Sequence, residues 1–159
     1  MSAADPDTKI LLAELEADIT ALQELLDSNQ RASMRIVAGA DDDLDYAALG
    51  YTLHNIYNLM ENSFYRIAKY FENNLSAETW HKDLLQRMTL AIEGIRPAVL
   101  SRDAADLLDE LRAFRHVFRN MYRKRLDAGK IMRLQSTLDV TVVAYRESMQ
   151  SFLGKIQAV

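Results

Sequence analysis

A chain of 159 residues, 49% hydrophobic and 26% charged, is long enough to bury a core and too apolar to stay disordered. It holds no cysteine, which excludes disulfides and thiolate metal sites and fits a reducing compartment. The net charge of −4 argues against a basic surface overall, but it averages over two opposed blocks: the acidic DDDLD at 41–45 and a basic run near residue 120.

No apolar run approaches the roughly 20 residues of a membrane span. The start, MSAADPDTK, has neither the basic nor the apolar part of a secretory signal. A cytoplasmic protein is the expectation.

Helical spacing dominates from end to end, punctuated by only two prolines and five glycines. The first helix is predicted to start at Asp5-Pro6, an acid at the N-cap followed by proline at the first helical position. Leu11, Leu15, Ile19, Leu22 and Leu26 share one face, and the end falls near Val37 to Gly39, where a glycine can cap. The second helix follows the Asp-rich loop, with Leu49, Leu53, Ile56, Met60, Phe64, Ile67 and Phe71 stepping by three and four. Asn73-Asn74 stops it, and Ser76 offers a new N-cap.

The third helix carries Trp80, Leu84, Leu85 and Met88 and runs down before Pro97. Ser101 caps the fourth, which shows Leu107, Leu108, Leu111, Phe114, Phe118 and Met121. Leu126 to Lys130, with Gly129, reads as a turn. The fifth helix repeats the pattern from Ile131 through Leu134, Leu138, Val142, Tyr145, Met149 and Phe152 to Ile156. Five amphipathic helices with short connections predict an all-α, antiparallel bundle, and with no repeat or low-complexity linker the whole of 1–159 reads as one domain.

The fourth helix is chemically unusual. Arg112, His116, Arg119 and Arg123 fall in one narrow stripe, and Arg115 and Tyr122 lie between that stripe and the apolar face. Like charges at such spacing repel, each close pair costing about 0.2–0.5 kcal/mol in an isolated helix. Two readings therefore stand side by side. The row is a basic face, solvated or salt-bridged within the bundle; or it receives an anion. In the second case, arginine forks would bind phosphate and stabilise charge in a transition state. The imidazole would move a proton near neutral pH. Such a site suits cleavage of RNA through its 2′-hydroxyl, with no metal or cofactor.

Other motifs are weak. There is no glycine-rich phosphate loop and no HExxH, and His54, His81 and His116 sit on different predicted helices. Trp80-His81 reads as packing plus a polar helix end. Glu61, next to core positions, is either an exposed acid or a buried partner for the fourth-helix arginines, and the second is favoured.

Four segments together, ALGYTLHNIYNLMENSFYRIAKYF, ETWHKDLLQRM, IRPAVLS and LLDELRAFRHVFRNMY, resemble the HepT-like branch of the HEPN superfamily. The resemblance runs from about Ala47 to Lys130. It implies a bundle of four to five helices that commonly dimerises and a metal-independent ribonuclease. It further implies a toxin encoded beside a small MNT-type nucleotidyltransferase antitoxin.

On that reading His116 is the catalytic histidine, with Arg112 and Arg115 as its arginines; Arg119, Asn120, Tyr122 and Arg123 contact substrate, and Glu61 supports them. The family pattern has an arginine, four to six residues, then histidine, and in many members a tyrosine two positions later, which the antitoxin modifies with AMP. Here three residues separate Arg112 from His116, and Phe118 holds the tyrosine's place, with Tyr122 one turn on. The alternative is a non-catalytic module that binds RNA or nucleotide, or docks the nucleotidyltransferase.

Overall fold

The computed structural model describes residues 5–73, 80–120 and 126–158. Five helices form: α1 (Pro6–Val37), α2 (Asp43–Glu72), α3 (Trp80–Met88), α4 (Arg102–Arg119) and α5 (Ala128–Gln157). Among the described residues there is no strand, only an isolated bridge between Ile92 and Arg96. The all-α bundle expected from the periodicity is what forms.

The caps explain where the helices begin and end. Ser101 accepts from the Ala104 amide at 3.1 Å, relieving one of the unpaired donors at the start of α4. Asn73 closes α2 in the left-handed region, at φ 44°, a conformation asparagine tolerates better than most residues. Gly39, at φ 106°, turns the chain after α1. Ser76, the cap expected for α3, lies outside the described residues.

Helix α1 starts as expected, with Asp5 at the N-cap and Pro6 at the first position, although the Asp5 side chain makes no cap bond. Two expectations are corrected. The acidic block is not a loop before α2: Asp42 caps the helix through the Leu44 amide at 2.9 Å, and Asp43 and Asp45 form its first turn, where negative charge meets the positive helix end. Likewise α5 starts at Ala128, not Ile131, because Asp127 accepts from the Lys130 amide at 3.0 Å. Gly129 sits in a first turn, not between helices.

Helix α2 is the centre of the bundle and packs on all four others. Its pairing with α1 is antiparallel: Thr8 meets Tyr70, Arg66 meets Glu14 and Asp18, Asn29 meets Thr52, and Arg35 meets Asp45. Leu49, Leu53, Ile56, Met60, Phe64 and Ile67 of α2 are fully buried with Leu15, Leu22, Leu84, Leu108, Tyr145 and Met149 from the other helices. Each such aliphatic or aromatic side chain contributes about 1.5–3 kcal/mol relative to exposure. One core thus draws on every helix. No helix of the described residues is long and apolar enough to cross a membrane.

The segment between α3 and α4 is fastened by a buried guanidinium. Arg96 donates to the carbonyls of Arg87, Leu90 and Pro97 and lies 3.4 Å from Glu72 Oε1. Its Nη groups thereby tie the carbonyls at the end of α3 to the segment that leads into α4. Burial lowers the Arg96 pKa, and Glu72 works against that.

Candidate functional site at the α2–α4 seam

Helices α2 and α4 also run antiparallel, and their register sets the site. A methyl group built on Gly50 would meet the Phe118 ring at 3.1 Å, His54 lies against the same ring with centroids 5.6 Å apart, and Asn58 and Glu61 both meet Arg115. The first half of α2 therefore lies alongside the last turns of α4.

Arg115 and Glu61 form a buried ion pair, Nη1 to Oε1 at 2.5 Å, with side chains only 8% and 3% exposed. The guanidinium also donates to Asn58 Oδ1 at 3.0 Å and stacks 5.0 Å above the Tyr57 ring, a charge over the negative face of the π system. Burial, then the neighbouring Glu61 carboxylate, raise the Tyr57 phenol above its usual range. Glu61 is thus a buried partner for a fourth-helix arginine. Arg115, expected as one of the catalytic arginines, has its head inside the bundle, between the stripe and the apolar face.

The pair extends into a chain. Because Arg115 fixes the Asn58 oxygen, the Asn58 amide nitrogen faces His54 Nε2 at 3.0 Å. It donates there, so the imidazole proton resides on Nδ1. Burial first, then the charges of Arg115 and Arg119, lower the His54 pKa. His54 and Asn58 were not legible as site residues in the sequence. No local spacing marks them, and only the α2–α4 register brings them to the arginines.

The outer row differs. His116 and Arg119 are exposed, and Arg112 is half-buried. Arg112 Nε meets Asp109 Oδ1 of its own helix at 2.6 Å, a bond that raises the Arg112 pKa. Among the described residues no carboxylate lies within ion-pair distance of Arg119. Asn120 ends α4, its amide donating to the His116 carbonyl at 2.9 Å. Tyr122 and Arg123 lie outside the described residues. No cluster of three or more metal-ligating side chains occurs among the described residues.

The seam thus joins a buried ion pair to a row in which His116 and Arg119 are exposed and Arg112 is paired with Asp109. A family model described as HepT-like protein matches residues 48–156, from the first turns of α2 almost to the end of α5. The chain belongs to the HepT-like proteins of the HEPN superfamily. Comparison with curated proteins gives no match, and comparison with solved structures gives none either.

Proposed function

We propose that this chain is a metal-independent endoribonuclease, the toxin of a HEPN/MNT-type pair, working as a homodimer with a nucleotidyltransferase antitoxin as its partner. The single core supports treating residues 1–159 as one functional domain. One observation carries the reading: His116 reaches solvent on the same face of α4 as Arg112 and Arg119. The buried Arg115–Glu61 pair anchors the helix beneath them.

His116 takes the proton of a ribose 2′-hydroxyl, whose oxygen attacks the adjacent phosphorus. The bond to the 5′-oxygen breaks as that oxygen takes a proton from water, and the His116 imidazolium returns its proton to the solvent. The products are a 2′,3′-cyclic phosphate and a 5′-hydroxyl. Arg119, and Arg112 once drawn from Asp109, stabilise the extra charge on phosphorus. Arg115 acts by position only. Purified protein in EDTA is expected to cut single-stranded RNA, and His116→Ala to lose at least about a hundredfold in rate. Cleavage undiminished by that substitution would overturn the assignment.

A second reading has an observation of its own. Started from Arg115, the family pattern runs arginine, four residues, Asn120, one residue, Tyr122. The register is regular, but asparagine stands where the pattern has histidine. An amide neither takes up nor releases a proton near neutral pH, and this one donates to the His116 carbonyl at the helix end instead. The chain would then bind RNA without turnover. Affinity falling steeply with salt, with no cleavage at any enzyme concentration, would favour this reading over the first.

A further inference from the structure

Helix α2 carries a row that the mechanism does not use. Tyr51, Asn55, Asn58 and Asn62 are spaced by four, three and four residues, so they form one edge of the helix about 16 Å long. Asparagine is a poor residue for a helix interior, and of the three only Asn58 is engaged within the bundle, by Arg115 and His54. Asn58 locates this edge. Its side chain meets Arg115, which on α4 lies between the core face and the Arg112–His116–Arg119 row. The asparagine edge therefore borders the cationic row.

Antiparallel register sets the ends as well. Tyr51 follows Gly50, which faces Phe118, so it lies toward Arg119; Asn62 follows Glu61, the partner of Arg115, and lies toward Arg112. Tyr51 is 59% exposed, an aromatic ring left in water. Asn55 is half-buried and Asn62 exposed. Neither amide has a hydrogen-bond partner among the described residues.

We propose that the Tyr51–Asn55–Asn62 edge of α2 is the nucleobase side of a track for single-stranded RNA whose phosphates lie on the α4 row. The occupant follows from complementarity. A polyanion satisfies the cations of α4, and the second row suits a polymer that also presents flat rings and hydrogen-bonding edges. Tyr51 stacks on one base; the asparagine amides, each donor and acceptor, meet base edges exposed only in unpaired RNA. This inference rests on the RNA reading above and adds to it that the bases, not only the backbone, are held.

The test is fluorescence anisotropy in EDTA with three cleavage-blocked, 2′-O-methylated hexamers: oligouridine, oligoadenosine and an abasic strand. Tyr51→Ala and the double variant Asn55→Ala/Asn62→Ala are each expected to bind the base-bearing strands about tenfold more weakly. Their affinity for the abasic strand should match that of the parent protein. Tyr51→Phe should restore tight binding, since stacking needs the ring and not the hydroxyl. Arg119→Ala should weaken all three strands and flatten the salt dependence. Parent-like binding of base-bearing strands by both alanine variants would overturn the base track while leaving the phosphate row intact. Failure of the parent protein to bind any of the three would overturn the RNA reading itself.

Discussion

The buried pair on α2 and α4 gives the sharpest prediction. Glu61→Ala leaves the Arg115 guanidinium 8% exposed without its carboxylate. Removing one partner of such a pair costs about 3–5 kcal/mol, because the remaining charge has lost its solvation and its counter-charge together. For a domain of this size each kcal/mol moves the melting temperature by about 2–4 °C, so Tm should fall by about 6–20 °C. The double variant Glu61→Leu/Arg115→Met removes both charges and fills a similar volume, and it should recover most of the loss. By contrast, Asp109→Ala breaks a pair whose members are 54% and 26% exposed, and should cost no more than about 1 kcal/mol. Thermal and urea denaturation followed by circular dichroism reads all four proteins. A loss below about 1 kcal/mol for Glu61→Ala, or a double variant as unstable as the single, would refute the burial argument. On the proposal that Arg115 acts by position, the double variant should also keep RNA affinity within about threefold of the parent.

Three further outcomes follow from the same seam and its surroundings. Folded His54 titrates below the usual imidazole value of 6.5, so the unfolded chain takes up its proton first. The stability present above about pH 6.5 therefore declines as pH falls through it, and His54→Phe should show a smaller drop in urea midpoint between pH 7.5 and 5.5 than the parent. Gly50→Val drives a branched side chain into Phe118, Phe114 and Ile131 and should destabilise by about 1–3 kcal/mol. Gly50→Ala should stay within about 1 kcal/mol, because its gain in helix propensity offsets the tight contact. Arg96→Met removes the side-chain donor shared by the carbonyls of Arg87, Leu90 and Pro97 and leaves Glu72 without one of its cations. It should cost about 3–5 kcal/mol in the same denaturation assay.

Much of this architecture was legible because helical period and polarity are local properties. The faces from Leu49 to Phe71 and from Ile131 to Ile156 announced α2 and α5, and the serine and asparagine signals near α4 and α2 marked real ends. The errors fell where two local signals compete. Gly129 reads as a turn until Asp127 is seen to cap, and the acidic block reads as a loop until its charge is set against a helix dipole. Within the site, the stripe on α4 was visible from spacing alone. Arg115, at its edge, could face either way, and Glu61 resolved that choice only through a contact 54 residues distant in sequence. His54 and Asn58 gave no signal, because their position beside the arginines depends on how two helices slide past one another. No single-helix pattern encodes that register.

The charge layout of α4 explains how a cationic row can stand open to solvent without distorting the fold. Its first half carries Asp103, Asp106, Asp109 and Glu110, and its second half Arg112, Arg115, His116 and Arg119. Asp103 in the first turn and Arg119 in the last each interact favourably with the helix dipole, by about 0.3–1 kcal/mol. The repulsion between Arg115 and its neighbours four and three residues away is reduced at its source, because Glu61 lies against that guanidinium. Arg112 is balanced by Asp109 on the same helix. The row therefore needs no ligand for stability, contrary to what its spacing alone suggests. What it retains is a polarity. Arg119, with no acid in reach among the described residues, is the most available cation, and it stands at the Tyr51 end of α2. Arg112 must exchange Asp109 for phosphate and stands at the other end. On the RNA reading proposed above, Arg119→Ala should therefore weaken strand binding in the anisotropy assay more than Arg112→Ala does.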